Sequence, residues 1–191
     1  MWFFAGLFRK YQFRKRWPEV TKKILQEELP RWIKKEKAGT ENLYSVDISL
    51  GKSHGRRPPY NREIYWDAPY GIVLLHETVP VACIGFDFGR QNIYIKQIQG
   101  VREKQTILSG IRWERLLIEI VIRCGKHFGF KNIRILRAKE NFYYFRDYDP
   151  DEVYGPKNYI PRNRRLEMRY DVTAERRGFT TGERYHTLEL Q

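Results

Sequence analysis

Three apolar stretches rich in β-branched and aromatic residues, "YGIVLLHE" (70–77), "VACIGFDFG" (81–89) and "NIYIKQIQG" (92–100), are separated only by "TVP" and "RQ". Links this short leave no room for a crossover, so the three must run antiparallel as successive hairpins. The clearest period in the chain follows. Arg112, Arg115, Glu119, Arg123 and Lys126 share one stripe, and Trp113, Leu117, Ile120, Val121, Cys124 and Phe128 share the opposite one. This predicts an amphipathic helix over 112–128 lying on a sheet and ended by Gly129. "KNIRILRA" (131–138) reads as the next strand, and a helix between two strands is the connection that makes 131–138 a parallel neighbour of 92–100. A second helix, "RRLEMRYDVTAERRGF", ends near Gly178, and "RYHTLEL" supplies a closing strand. The expected fold is one α+β domain with a mixed, mostly antiparallel sheet flanked by helices.

Upstream, Pro18 and "EVTKKILQEELPRWIKKEK" predict a helix with Val20, Ile24, Leu25 and Leu29 on one stripe and a break or kink at Pro30. "LYSVDISL" (43–50) alternates as a strand, and "GKSHGRRPPYNRE" reads as an exposed basic loop. Residues 139–164 combine tyrosines (Tyr143, Tyr144, Tyr148, Tyr154, Tyr159), acids (Asp147, Asp149, Asp151, Glu152) and prolines without a period, which predicts a long loop or lid. At 191 residues a single main domain over 18–191 is expected, preceded by a basic aromatic segment, residues 1–17.

The net charge of +13 favours an anionic partner. Residues 1–37 hold eleven Lys or Arg against four Glu, more than half of that excess. Aromatics mixed with Arg9, Lys10, Arg14, Lys15 and Arg16 suit RNA, DNA or an anionic membrane surface, or they dock on the domain itself. The apolar runs fall well short of the roughly 20 residues of a membrane span. The basic residues follow the apolar ones and no small-residue cleavage site appears, so export is not expected. Cys83 and Cys124 have no pairing or metal spacing and read as reduced core residues of a cytoplasmic protein. His54, His76, His127 and His186 lack a second ligand at helical spacing, so no metal is expected. No Ser-His-Asp spacing, Walker loop or dinucleotide fingerprint is present.

The order of elements, with "HFGFKNIRIL" leading into a strand and "TAERRGFTTGERYHTLEL" closing the chain, resembles the GNAT superfamily of N-acyltransferases over about residues 69–190. The resemblance implies transfer of an acyl group from acyl-coenzyme A, or an aminoacyl group from aminoacyl-tRNA, to an amine acceptor. It also implies that amides around Gly110 to Glu114 face the donor's pyrophosphate. The family's loop reads Q/R-x-x-G-x-G/A, and the corresponding six residues here are "LSGIRW", with one glycine. Donor-binding candidates are Val101, Arg102, Lys104, Gly110, Arg112, Trp113 and Arg115 around the phosphates, with Ile98 and Gln99 beside the acyl group. Glu77 and Asp87 are candidate general bases, or solvent-facing strand positions, and Tyr170 is the candidate acid, one turn before the position where Ala174 replaces the family's tyrosine. Arg162, Arg164, Arg165 and Arg169 are candidates for phosphate pairing, for a solvated patch, or for pairing with the acidic cluster. The alternative expectation is a GNAT-like domain without turnover that binds nucleic acid or an anionic surface.

Overall fold

A computed structural model describes residues 2–51, 54–141, 144 and 164–191, with 2–10 described by their backbone alone. The central element is a seven-stranded sheet. Its strands are β1 (Tyr44–Leu50), β4 (Tyr70–His76), β5 (Val79–Phe88), β6 (Asn92–Gly100), β7 (Asn132–Leu136), β8 (Thr180–Thr181) and β9 (Tyr185–Glu189), while β2 (Gly55–Arg56) and β3 (Tyr65–Trp66) form a separate two-stranded ribbon. The sheet order is β1-β4-β5-β6-β7-β9-β8. Every pairing is antiparallel except β6 with β7, so the mixed α+β architecture is as expected, with 92–100 and 131–138 in one sheet. Glu77 and Thr78 both have positive φ, which gives the β4–β5 hairpin the two-residue turn whose twist suits its strands.

Helices α1 (Trp2–Trp32) and α3 (Trp113–His127) cover one sheet face. The sequence predicts a start near Pro18 and a break or kink at Pro30; α1 starts earlier and is continuous through both prolines. Each interior proline costs about 3 kcal/mol. Burial of Phe13, Trp17, Ile24, Leu25 and Leu29, at about 1.5–3 kcal/mol apiece, outweighs that cost. Of the two readings of the N-terminal aromatics, Phe13 and Trp17 follow docking: Phe13 meets Tyr70 and Phe86 edge-on, and Trp17 stacks on Phe128 at 5.2 Å. Arg14, Lys15 and Arg16 remain exposed. Glu28, buried between the helices, accepts from Arg31, Trp32 and Arg123, so its charge is compensated where α1 crosses α3.

The other face is covered by residues 54–68, of which 54–63 belong to the stretch 51–63 that the sequence predicts as an exposed basic loop. Here Tyr60, Ile64, Trp66 and Ala68 are buried, with Tyr60, Ile64 and Trp66 packed on Val73 and Cys83. The hydrophilic letters misled because Arg57 is itself buried, lying 4.4 Å over the Trp66 ring and donating to the Ala68 and Pro69 carbonyls. The segment fits because the strands beneath it carry glycine: a Cβ on Gly71 would lie 2.0 Å from the Trp66 ring, and one on Gly85 would lie 2.9 Å from the Gln97 Oε1.

A short helix α2 (Gln105–Ser109) interrupts the stretch 101–112 read as loop. Residues 164–176 form the C-terminal helix, whose middle, Met168–Val172, is a π-helical turn, and Gly178 ends it with φ +78°. His186, fully buried on β9, holds this helix through Asp171 at 2.8 Å. Of the predicted lid, only residues 139–141, 144 and 164 are described. Its acidic cluster, Arg162 and Tyr143, Tyr148, Tyr154 and Tyr159 lie outside the described residues.

Two outcomes follow. Gly71→Ala is expected to cost about 1–3 kcal/mol in chemical denaturation, because the rigid Trp66 ring 2.0 Å away must yield, and Gly85→Ala less, because its nearest atom, at 2.9 Å, needs a smaller displacement. Equal losses would refute this account of the docked segment. Burial pulls the Asp171 carboxyl upward, but hydrogen bonds from His186 and the Ala138 N–H outweigh it and hold the group below its ordinary value. Its contribution is therefore present above the ordinary aspartate value of about 3.9 and is lost as pH falls through the depressed value. Asp171→Asn is expected to flatten the acid limb of a denaturation-midpoint profile.

Candidate functional site

Strand β6 is the origin of the site. It spans nine residues yet pairs with β7 only over Asn92–Ile95. On its other side the register with β5 steps from Phe86↔Ile95 to Gly85↔Gln97, leaving Lys96 as the extra residue of a bulge. The bulge shifts the side-chain phase: Ile93, Ile95 and Ile98 join the helix-side core, while Gln97 reaches the opposite face and bonds Tyr65 and Asp67. Beyond Ile95, β6 and β7 separate.

The gap is bridged by Tyr170 from the π-helical turn. Its hydroxyl accepts the Ile98 N–H at 2.9 Å and donates toward the Lys96 carbonyl at 3.5 Å. Tyr170 is buried, and burial pushes its hydroxyl up to about 12, opposed by the Ile98 N–H and by Arg169. It therefore holds its proton firmly. Neighbouring Arg169 lies 5.5 Å over the Trp113 ring, reaches the Ile98 carbonyl at 3.4 Å, and leaves its buried Nε without a partner among the described residues.

Where α3 begins, a pocket of about 760 Å³ opens between residues 108–115 and the C-terminal helix. Among the described residues, Lys34, Arg112, Arg115, Arg164, Arg165, Arg169 and Arg176 line it, against a single carboxylate, Glu114. Three of the loop amides are already spent inside the protein. The Gly110 N–H donates to Ile107, that of Ile111 to Leu108 and that of Arg112 to Trp32, while the Lys34 N–H donates to the Gly110 carbonyl. Gly110 has an ordinary helical backbone, and what it permits is the close approach of Lys37, whose Cγ would stand 2.9 Å from an added Cβ. Glu114 sits in the first turn with its carboxyl raised by burial, opposed by its own backbone N–H and by Arg169 and Arg115. An anion here would meet guanidinium groups more than amides.

The pocket brings together Arg112, Trp113 and Arg115 of the sequence candidates, along with Arg164, Arg165 and Arg169. Gly110 is buried behind it, and Val101 belongs to the core under residues 54–68. Arg102 and Lys104 are not among its lining residues. Ile98 is buried at the gap with its amide taken by Tyr170, and the Gln99 side-chain Oε1 accepts from the Gln97 Nε2 at 2.7 Å. Glu77 stands exposed in the β4–β5 turn, whereas Asp87, near the far end of β5, pairs with Lys96 at 3.3 Å. Ten residues of strand separate the two by about 30 Å, so they do not act on one atom together. Lys34 and Arg176 were missed. Lys34 reaches the pocket through the bridge between Ile33 and Ile111, and Arg176 through the docking of the C-terminal helix, neither of which a local pattern announces. Among the described residues, no group of three or more His, Cys, Asp or Glu is placed to hold a metal. No helix among them is long and apolar enough to cross a membrane.

No known protein family matches the sequence, and no curated protein matches it. Solved structures do resemble the fold. The ribosomal-protein-S18-alanine N-acetyltransferase from Escherichia coli shares 10% identity over 77% of this chain and 95% of its own, with a TM-score of 0.41. A GNAT family N-acetyltransferase from Escherichia coli, in complex with CoA, shares 8% over 78% and 82%, with a TM-score of 0.38. An N-acetyltransferase described as putative, from Lactobacillus plantarum, shares 11% over 78% and 100%, also at 0.38. The GNAT-like α+β reading of this chain rests on its own strand order and register.

Removing the Tyr170 hydroxyl tests its place in the gap. Tyr170→Phe leaves the buried Ile98 N–H without its acceptor, and a loss of about 1–3 kcal/mol is expected. Hydrogen exchange should quicken at the Ile98 amide before it does at Ile93 or Ile95. Unchanged exchange at Ile98 would show that the bond contributes nothing.

Proposed function

We propose that the chain is a GNAT-like acyltransferase that holds the phosphates of an acyl or aminoacyl donor in the basic pocket and passes the acyl group to an amine. The observation that carries this reading is the convergence of seven cationic side chains on the start of α3, beside the strand that parts from its neighbour. Charge-assisted bonds from guanidinium groups bind phosphate bidentately and do not need the glycines that a backbone cradle requires. The first turn of α3 adds a favourable dipole. The acyl group would extend from the pocket along β6 toward Ile98. There the amine nitrogen bonds to the acyl carbon, the bond from that carbon to the donor's sulfur or oxygen breaks, the amine proton passes to a base and the leaving group is protonated. Tyr170 is poised to give the departing group a hydrogen bond.

A second reading, a domain of this fold that binds a polyanion without turnover, is favoured by the Tyr170 hydroxyl, which already occupies the Ile98 N–H that an extended donor would use. Nucleic acid is then the polyanion to test, with exposed Arg14, Lys15 and Arg16 as a further contact. Charge reversal at Arg14 and Lys15 tests that contact while leaving Phe13 and Trp17 in the core.

Calorimetry against acetyl-coenzyme A, a longer acyl-coenzyme A and aminoacyl-tRNA separates the readings. Binding of one donor is expected, weakened about tenfold or more in Arg112→Ala, Arg115→Ala and Arg169→Ala. No heat with any donor from a folded sample would overturn the transferase reading. RNA affinity that falls steeply with salt and is lost on charge reversal would support the second.

A further inference from the structure

On the sheet face away from α1 and α3, a second pocket of about 430 Å³ opens where β6 and β7 part. Lys96 joins the two sides: its carbonyl faces the Tyr170 hydroxyl, and its side chain lines this pocket. The floor is the end of β7 at Leu136, and one wall is Tyr65 and Asp67 from the docked segment.

Asp67 is held in place from its backbone. Gln97, only 3% exposed, accepts the Asp67 N–H at 3.0 Å through Oε1 and donates to the Tyr65 carbonyl at 2.7 Å, so one buried amide grips both neighbours of Trp66. The carboxylate that this clamp presents to the pocket is half-buried and lacks a strong partner. Among the described residues its ion-pair neighbour is the exposed His54 imidazole, at 3.9 Å. The pocket's other charges are already engaged: Lys96 with Asp87 at 3.3 Å, and Arg184 with Glu140 at 3.9 Å. Burial raises the Asp67 carboxyl, opposed by His54, which means its charged form lacks compensation.

A positioned carboxylate beside an exposed tyrosine ring, opposite a basic pocket across the strand gap, suits a cation and not a second anion. We infer that this pocket receives the amine acceptor, with Asp67 as the counter-charge for its ammonium group, an inference that rests on the donor reading above. The two pockets then divide the substrates by charge, anionic donor on one sheet face and cationic acceptor on the other, with the gap in β6 between them.

The test is a titration of the full chain, labelled with nitrogen-15, by two probes separately. Butylamine is expected to shift the Asp67 backbone amide and the Gln97 side-chain amide, and Asp67→Asn to weaken that binding about tenfold. Asp67→Glu, which keeps the charge, should retain part of it. Because Gln97 holds the Asp67 backbone, the Asn variant is expected to fold, and an unchanged melting temperature checks this. Coenzyme A is expected to shift Arg112, Arg115 and Arg169 equally in wild type and Asp67→Asn. If butylamine leaves Asp67 and Gln97 unmoved, or binds the Asn variant as tightly, the acceptor pocket is overturned whatever coenzyme A does. If butylamine behaves as expected while neither coenzyme A nor the other donors bind, the donor reading fails and the acceptor role with it, leaving an amine site.

Discussion

The four-residue pairing between β6 and β7 is the constraint on which the rest of the site depends. A parallel neighbour that continued to Gly100 would consume the Ile98 N–H and carbonyl in the sheet, and neither pocket would have an edge to open on. The bulge at Lys96 prevents this in two ways: it bends β6 away, and it rotates Gln97 out of the helix-side core. Backbone polar groups freed inside a protein must find partners. The fold supplies them from the C-terminal helix, and the wide turn at Met168–Val172 is what brings Arg169 and Tyr170 together onto Ile98.

That solution couples the helix to the anion pocket. Arg169 has one guanidinium to share between the Ile98 carbonyl, the Trp113 ring and whatever charge enters the pocket, and its Nε has no partner among the described residues. Tyr170 is the next residue. Under the proposed function, an anion that drew Arg169 outward would act on the same turn that holds Tyr170 in the gap. π-turns are often retained at functional positions for this kind of local freedom.

The sheet was legible because its signals are local. Two hairpin links of two or three residues and one strongly amphipathic helix leave few alternatives to antiparallel strands followed by a parallel one. The docked segment 54–68 was not legible because its burial is decided elsewhere: Gly71 and Gly85 look like unremarkable strand glycines until Trp66 and Gln97 fill the space above them. The path of α1 through Pro18 and Pro30 was misread for a related reason, since a local penalty was weighed without the aromatic contacts at Phe13 and Trp17 that offset it. Within the site, Arg112 and Arg115 could be found from the helix start. Lys34 and Arg176 could not, because α1 and the C-terminal helix reach the pocket only through tertiary pairing.

The missing glycines in "LSGIRW" can now be given a physical meaning. In a backbone cradle, amides must point at the phosphate and side chains must stay clear, which is what glycine permits. Here the amides of Gly110, Ile111 and Arg112 point into the protein, bonding α2 and the end of α1, so bulky residues cost nothing at these positions. The same bonds tie the loop to α1 and carry Lys34 to the pocket's edge. Under the proposed function, anion affinity then falls to long side chains from the start of α3, from the C-terminal helix and from the chain just after α1. A site of that kind is less rigid than an amide cradle and would follow phosphates in more than one arrangement. It depends on the helices staying in place, and the buried Glu28 network between α1 and α3 and the Asp171–His186 bond to β9 keep them there.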